Sequence, residues 1–248
     1  MRKILKVFDF ICIILIFLVV LVPPAVLVLP LNQKRRNQFI NPFWKLFSKI
    51  LLAFPLRTKL FIEDRRRLKN QTEGLYLVNH QSMVDIPLFS LNHQIPPIMK
   101  HEILYIPLFG LVGLVSGAIT VKRKDPHSRK KTFQKAQARL LDHQPVQYYP
   151  EGTRSKTNEP KPYEDIYKTL MDFCFNSKIP VIPCSIYGTK YVLAKDGSIN
   201  YGKKLGFITH EEMNPEAYST KEEFSRACWD KVVKGFKELE SKLSHAQN

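Results

Sequence analysis

The sequence predicts an α/β domain preceded by an apolar helical segment, and three observations support this fold class. After Gly74, short runs of strand character alternate with segments of helical periodicity. Before residue 60 apolar residues dominate, and the 24 residues from Phe10 to Gln33 carry no charge. A chain of 248 residues can bury one sizeable core. We therefore expect a membrane-anchoring helical segment over residues 1–60 and a single mixed-sheet α/β domain, flanked by helices, over residues 61–248.

The uncharged N-terminal stretch favours membrane attachment. Its apolar run is long and no small-residue cleavage site follows, which argues against a signal peptide. About 20 apolar residues cross a bilayer, but Pro23 and Pro24 divide the stretch into two arms that are each too short. Basic residues stand at both ends, so the positive-inside rule gives no orientation. A kinked span and a shallow hairpin that returns to the same side both fit.

An amphipathic helix follows, because apolar residues recur at helical spacing from Phe39 to Phe54 before Pro55 ends the pattern. Its apolar side fits two environments, the core of the protein itself and the plane of a membrane interface. Trp44 and the neighbouring lysines are typical of the interface. The arginine run at residues 65–67 then belongs to a connector, on a face that we expect to be solvated.

The net charge of +16 is concentrated in the first third of the chain, where residues 1–75 hold 14 Lys or Arg against 4 Asp or Glu. Basic residues beside apolar surface are typical of proteins that bind anionic lipid. Nucleic-acid binding has no supporting motif here. The four cysteines lack metal-ligand spacing, so we expect reduced thiols in a cytosolic environment and no metal site.

The elements after Gly74 alternate in type. Pro96-Pro97 precedes one strand, Asp125-Pro126 starts a helix by the usual cap, and Ser219 to Glu222 reads as a capping box for the last helix. His93 and His101 are expected at the surface. Strands are predicted at residues 74–78, 98–100, 117–121, 145–150, 179–187 (broken by prolines) and 205–209, and helices at 85–91, 102–110, 126–140, 163–177 and 221–239.

The first candidate site follows strand 74–78, which ends at Asn79-His80 just before a helix whose first turn carries Asp85. A histidine at the carboxyl end of such a strand lies at the crevice where α/β proteins bind ligands. On an ideal helix, residues five apart point ~140° away from each other. His80 and Asp85 therefore meet only if His80 lies on the preceding turn, where it would be a general base oriented by Asp85. The alternative is that Ser82 and Asp85 form a capping box and nothing more.

A second polar loop follows strand 145–150 and reads Glu151-Gly152-Thr153-Arg154. Glycine permits close approach of the backbone to a ligand, and arginine offers a planar fork for a phosphate. In isolation, an ordinary turn with a solvated arginine explains the same residues.

The two loops together, His80-x4-Asp85 and then Tyr149-Pro-Glu-Gly-Thr-Arg154-Ser, resemble the lysophosphatidic acid (1-acylglycerol-3-phosphate) acyltransferase family. The resemblance covers roughly residues 74–188. Weaker blocks at Lys100 to Gly110, Gly117 to Arg123 and Val181 to Pro183 agree with it. The segment from Glu159 to Tyr167 departs from the family pattern, so the head group of the acceptor stays open.

The resemblance implies transfer of a fatty acyl group from acyl-CoA or acyl-carrier protein to the sn-2 hydroxyl of lysophosphatidic acid, which yields phosphatidic acid. An imidazole, with an unperturbed pKa of ~6.5, suits His80 as the base. The resemblance also implies that Arg123 and Arg154 hold the acceptor phosphate, while Glu151, Gly152 and Thr153 shape the site.

Other expectations concern the donor. Lys100 is a candidate donor to the oxyanion, and the basic helix from Arg129 to Arg139 suits either anionic acyl donor. The thioester supplies the driving force, so no metal and no bound cofactor is implied. Ser82 and Cys184 stand in no arrangement with a base that would make them acyl carriers.

Two alternatives stay open beside the leading hypothesis. One is the same chemistry on another lyso-phospholipid or other lipid acceptor. The other is a catalytically silent membrane-binding protein, in which Ser82 and Asp85 serve as a cap. The expected location is a membrane, with the α/β domain facing the cytoplasm; in a bacterium this would be the inner membrane.

Overall fold

A computed structural model gives the fold and describes residues 2–67, 73–106, 109–155, 157, 159–193 and 198–244. Its helices are α1 (Arg2–Val20), α2 (Val22–Leu27), α3 (Gln33–Ala53), α4 (Asp85–Ser90), α5 (Phe109–Val115), α6 (Pro126–Leu141), α7 (Thr169–Asn176), α8 (Thr189–Val192) and α9 (Lys221–Ser244). Its strands are β1 (Lys59–Asp64), β2 (Leu75–Val78), β3 (Ile98–Lys100), β4 (Ile119–Val121), β5 (Val146–Tyr148), β6 (Val181–Tyr187) and β7 (Lys204–Thr209).

Five strands form the main sheet in the order β1-β7-β6-β2-β5. All neighbours are parallel except β6 and β7, so the predicted mixed α/β sheet is confirmed. Strands β3 and β4 form a parallel pair, which a bridge between Pro97 and Gln147 connects to β5. Because β5, β2 and β6 run parallel side by side, their carboxyl ends open on one edge of the sheet.

Both faces of the sheet are covered, which explains why strand β2 is buried along its whole length. Its side chains alternate between the faces. Leu75 and Leu77 join one apolar cluster with residues of α6, α7 and α9, whereas Tyr76 and Val78 join another with residues of α3 and α4. The site loops are therefore anchored on a rigid, two-sided core.

The N-terminal helices share the second of these clusters. Phe17 of α1 packs edge to face on Phe47 of α3, with ring centroids 5.9 Å apart, and both belong to the cluster that contains Val78. The amphipathic helix thus buries one side on the protein's own core, while Phe39 and Leu46 remain exposed. Within the described residues, no helix has the length and apolar character required to cross a bilayer. The expected boundary at residues 60/61 falls inside β1.

Two surface expectations are wrong. The expected solvated position of Arg66 is a buried one, where its guanidinium pairs with Asp64 at 2.7 Å and donates to the hydroxyl of Tyr76 at 3.1 Å. His93 is buried as well, with Nε2 2.8 Å from Oγ1 of Thr209. The position of Arg66 follows from β1, a strand absent from the predicted elements, because β1 pairs with β7 and places the arginine run directly after the end of this edge strand. His93 is held by Thr209 of β7, the neighbour of β1.

Several element boundaries also differ. The helix predicted at residues 163–177 begins at Thr169, after a separate 3-10 turn. The segment predicted at 102–110 is a 3-10 turn at His101–Tyr105 followed by α5, with residues 107–108 outside the described part. Strand β6 is continuous, because Pro183 keeps its carbonyl in the ladder and accepts the N–H of His210 at 2.9 Å. The last helix is capped by Thr220, which accepts the N–H of Glu223 at 3.2 Å.

Candidate active site

His80 and Asp85 meet where strand β2 ends. Nδ1 of His80 lies 2.7 Å from Oδ2 of Asp85, and both side chains are buried. His80 precedes α4, whereas Asp85 is the first residue of that helix, so the turn between them closes the gap that helical geometry would leave. If Asp85 accepts the Nδ1 proton, Nε2 is the ring nitrogen left to accept a proton from a substrate.

Asp85 also accepts main-chain hydrogen bonds from the turn before α4, a local role like the one that the capping interpretation gave it. Its Oδ2 accepts the main-chain N–H of Gln81 at 2.7 Å and that of Ser82 at 3.0 Å. The hydroxyl of Ser82 donates to the carbonyl of Leu193 at 2.8 Å. Oδ2 of Asp85 therefore accepts the main-chain hydrogen bonds of the turn and contacts the His80 imidazole at the same time.

Thr189 contacts the same carboxylate and was missed by the sequence analysis. Its hydroxyl donates to Oδ1 of Asp85, and the residue is fully buried at the start of α8, directly after β6. A signal was available, since Gly188-Thr189 follows the third of three adjacent parallel strands whose carboxyl ends meet at this edge.

Glu151 lies behind the pair. Its Oε1 accepts the main-chain N–H of His80 at 2.7 Å, and Lys161 Nζ donates to its carbonyl at 2.9 Å. Burial raises the pKa of Glu151 to about 7, against the opposing effect of the hydrogen bond from His80. Its Oε2 is buried without a hydrogen-bond partner among the described residues. Glu151 thus supports the His80 backbone and does not line the pocket.

Tyr149 and Gly152 complete the loop after β5. The ring of Tyr149 stacks on the His80 imidazole, with centroids 4.4 Å apart and an interplanar angle of 32°. Gly152 has a φ of +65°, and a Cβ there would come within 2.5 Å of the Tyr167 ring. The left-handed conformation therefore favours glycine, and the Tyr167 ring covers the space that a Cβ would occupy.

A pocket of about 580 Å³ opens in front of the histidine. Among the expected site residues, Lys100, Arg123, Gly152, Thr153 and Arg154 line it with His80. Arg129, which the sequence analysis placed on a donor-attracting helix, lines it too. Lys100 is half exposed and lies 3.4 Å from Glu102. Four cationic side chains thus surround one cavity, an arrangement that attracts anions.

An apolar cavity of about 310 Å³ adjoins this pocket. Side chains of α1 and α3, among them Phe17 and Phe47, form one wall. The partition between the two cavities is apolar and consists of Met83, Ile86, Pro97, Met99 and Ile103. An apolar chain held in the cavity would consequently lie next to the histidine and its cationic pocket.

The two candidate acyl carriers, Cys184 and Ser82, are poorly suited to that role. Cys184 is fully buried, and burial raises the pKa of its thiol, which makes it a poor nucleophile. The hydroxyl hydrogen of Ser82 is committed to Leu193. In the part of the chain that the structure describes, no group of three or more His, Cys, Asp or Glu side chains is arranged to hold a metal ion.

Comparison with known proteins gives one matching family and several similar sequences. The family described as Acyltransferase matches residues 59–187, from β1 to the end of β6. The chain is 29% identical to a chloroplastic 1-acyl-sn-glycerol-3-phosphate acyltransferase of Brassica napus, over 77% of this chain and 54% of that protein. It is 28% identical to one of Arabidopsis thaliana, over 81% and 55%. The chain thus spans just over half the length of these curated relatives.

A solved structure has the same fold. It is the crystal structure of the 1-acyl-sn-glycerophosphate acyltransferase PlsC from Thermotoga maritima, which is 23% identical in sequence. The two superpose with a TM-score of 0.78 over 97% of this chain and 98% of that chain. The shared architecture therefore includes the N-terminal helices as well as the α/β core.

Proposed function

The chain belongs to the acyltransferase family, and on that premise we propose that it transfers a fatty acyl group from a thioester donor to the sn-2 hydroxyl of lysophosphatidate, giving phosphatidate. One observation carries the proposal. A histidine held by a carboxylate lines a pocket with four cationic side chains, and an apolar cavity adjoins that pocket. Base, phosphate site and acyl site are thus next to one another.

His80 acts as the general base. Its Nε2 takes the proton of the acceptor hydroxyl as the hydroxyl oxygen attacks the thioester carbonyl carbon. Asp85, 2.7 Å from Nδ1, holds the ring in place and stabilises the imidazolium that forms. The tetrahedral intermediate then collapses, the C–S bond breaks, and the proton on Nε2 passes to the departing thiolate. No acyl-enzyme intermediate is needed.

The acceptor phosphate binds to the cations of the pocket. Arg154 lies in the loop that supports His80, and Arg123 follows strand β4, so the two reach the pocket from different loops. Guanidinium groups bind phosphate oxygens in pairs, which fixes orientation as well as affinity. Gly152 and Thr153 line the same pocket. Lys100, at the same pocket, is the cation we assign to the developing oxyanion.

The acyl chain of the donor lies in the apolar cavity. A long acyl chain gains roughly 0.8 kcal/mol for each methylene removed from water, so a cavity lined by apolar side chains can supply much of the affinity. The rest of the donor, acyl-CoA or acyl-carrier protein, is anionic. It faces the basic exposed side of α6, which includes Lys130, Lys131 and Lys135.

The protein works at a membrane surface. Phe8, Ile11, Leu15 and Val19 lie along one side of α1, and all four are exposed. The exposed basic residues Arg35, Lys45 and Lys49 lie nearby in sequence on α3. An apolar face flanked by basic residues binds anionic bilayers from one side. If it docks on the inner leaflet, the lyso-lipid reaches the pocket without leaving the membrane entirely, and the α/β domain faces the cytoplasm.

An acceptor screen tests the reaction. The full chain in detergent is given labelled oleoyl-CoA or oleoyl-acyl-carrier protein and a panel of lyso-lipids. We expect lysophosphatidate to be the preferred acceptor, His80→Ala to abolish turnover, and Arg154→Ala to raise the KM for lysophosphatidate. Preference for a zwitterionic or amine-containing lyso-lipid would replace the acceptor but keep the chemistry. Equal turnover by wild type and His80→Ala would rule out the mechanism.

A vesicle assay tests the location. We expect the protein to co-sediment with vesicles of phosphatidylcholine and phosphatidylglycerol more strongly than with phosphatidylcholine alone. Leu15→Asp with Val19→Asp should abolish binding. Leu141→Asp, which replaces an exposed leucine on α6, is the matched control and should bind as wild type does. Equal binding by all three proteins would exclude the α1 face as the docking surface.

A further inference from the structure

Thr189 reaches the His80–Asp85 pair from a second strand end. It follows β6, whereas His80 and Asp85 follow β2. Its hydroxyl donates to Oδ1 of Asp85, and both residues have zero exposure. Thr189 does not line the pocket, so its route to the reaction runs through the carboxylate of Asp85.

The hydrogen bonds of Asp85 divide unequally between its two oxygens. Oδ2 accepts from Nδ1 of His80 and from the main-chain N–H groups of Gln81 and Ser82. For Oδ1, the donor within the described residues is Thr189. A buried carboxylate oxygen without a partner is costly. Contacts at both oxygens therefore fix the rotation of the carboxylate about its χ2 angle and direct Oδ2 to the imidazole.

The backbone around Thr189 is built to hold it in this position. Gly188 has a φ of +92°, and a Cβ there would collide with the carbonyl oxygen of Lys204. The carbonyl of Thr189 accepts the N–H of Leu193 at 3.1 Å. The carbonyl of Leu193 in turn accepts the hydroxyl of Ser82 at 2.8 Å. Segment 188–193 is thus tied to the His80–Asp85 turn at both of its ends.

We propose that Thr189 is a positioning residue of the acyl transfer: its hydroxyl locks the Asp85 carboxylate so that Oδ2 stays on Nδ1 of His80 and Nε2 stays directed to the acceptor hydroxyl. The kinetic part of this inference rests on the proposed function. The structural part, that the hydroxyl restrains the carboxylate, stands without it.

Two substitutions of Thr189 separate the effect of its hydroxyl from the effect of its shape. Thr189→Val keeps the shape and removes the donor, whereas Thr189→Ser keeps the donor and removes a methyl group. Thr209→Val is the matched control, since Thr209 is equally buried but bonds to His93 away from the pocket. Thr189→Ala replaces the valine variant should valine fail to fold.

Kinetics give the first readout. We expect Thr189→Val to lower kcat roughly 10- to 100-fold, a part of the ~10²–10⁴ that general base catalysis contributes, with an unchanged KM for both substrates. Thr189→Ser should stay within about threefold of wild type, and Thr209→Val should lower the melting temperature at unchanged kcat. Wild-type kcat in Thr189→Val, or an equal loss in Thr189→Ser, would overturn the proposal.

Hydrogen exchange gives a second readout that needs no turnover. Because the N–H groups of Gln81 and Ser82 donate to the same carboxylate, a carboxylate free to rotate should let them exchange faster. We expect faster exchange in peptides covering residues 79–86 for Thr189→Val, and wild-type exchange for Thr189→Ser and Thr209→Val. If the protein acylates no lyso-lipid, the proposed function fails, and unchanged exchange in Thr189→Val would separately refute the positioning role.

Discussion

The main-chain N–H of His80 donates to Oε1 of Glu151 at 2.7 Å. A second bond reinforces the contact, because the N–H of Ser155 donates to the carbonyl of His80 at 2.8 Å. The loop after β5 therefore binds the peptide groups on both sides of His80. The role of Glu151 in this loop is to fix the position of the His80 backbone, whereas Arg154 of the same loop lines the pocket.

Substitution of Glu151 separates its shape from its charge. Glu151→Gln keeps an oxygen that accepts the His80 N–H, so we expect kcat within a few-fold of wild type. Glu151→Ala leaves a buried N–H without a partner, at a cost of about 1–3 kcal/mol, and should lower both the melting temperature and kcat. Steady-state kinetics and thermal unfolding check this. Glu164→Gln, on the exposed surface, is the control, and an equal loss in Glu151→Gln and Glu151→Ala would mean that the charge itself is required.

The sequence was sufficient for those site contacts that are local in the chain. His80 and Asp85 are five residues apart, and helical geometry alone restricted how they can meet. The contacts of Glu151 and Thr189 join different strand ends, so they depend on the order of the strands in the sheet, which the sequence pattern does not specify. Strand β1 was not predicted because none of its six residues is buried, so it lacks the apolar alternation of a half-buried strand. His93 was misplaced for a different reason, because its partner Thr209 lies 116 residues away and the local sequence pattern does not show that the two meet.

The cationic pocket predicts that two neighbouring basic residues, Arg123 and Lys124, differ in their effect on acceptor binding. Arg123 lines the pocket, whereas Lys124 is exposed and does not. We expect Arg123→Ala to raise the KM for lysophosphatidate about 10-fold or more, in keeping with the ~1.5–3 kcal/mol of a hydrogen bond to a charged group, at a similar kcat. Lys124→Ala should leave KM unchanged.

The dependence of KM on ionic strength tests this difference between Arg123 and Lys124. Exposed charges are screened over ~10 Å at 0.1 M salt, so added salt should raise the KM of wild type and of Lys124→Ala. The KM of Arg123→Ala should change less, because one of the screened charges is already missing. If both alanine variants raise KM equally, long-range attraction and not direct contact is responsible.

The apolar cavity predicts the preferred length of the acyl chain. Gly113 of α5 lines the cavity, and a Cβ there would meet the flexible end of Met99. Gly113→Leu would fill part of the volume, so we expect the preference to shift to shorter acyl-CoA donors, with kcat/KM for oleoyl-CoA falling and that for decanoyl-CoA retained. Leu114→Val, at the exposed neighbouring position, should keep the wild-type profile. A uniform loss for all chain lengths in Gly113→Leu would place the acyl chain elsewhere.

Two buried histidines predict how stability depends on pH. Burial lowers the pKa of His93 to about 3 and that of His210 to about 4. Both histidines must therefore gain protons on unfolding below their unfolded pKa of ~6.5. The free energy of unfolding should accordingly fall as the pH drops from ~6.5 toward 4, by about 1.4 kcal/mol per pH unit for each histidine that is fully protonated in the unfolded chain.

Glu151 acts in the opposite direction, and variants can separate the two effects. Its pKa of about 7 in the folded protein lies above the ordinary value of 4.5, so the stabilisation it contributes is fully present below pH 4.5 and is lost as the pH rises through 7. Denaturant unfolding should be measured from pH 4 to 8. On the acid side, the free energy of unfolding should fall less steeply with decreasing pH for His93→Gln and more steeply for Glu151→Gln. His127→Gln, at an exposed position, should follow wild type. Because two histidines oppose one glutamate, the free energy of unfolding of wild type should still rise with pH on the acid side. A flat profile would contradict the burial of these three groups in their neutral forms.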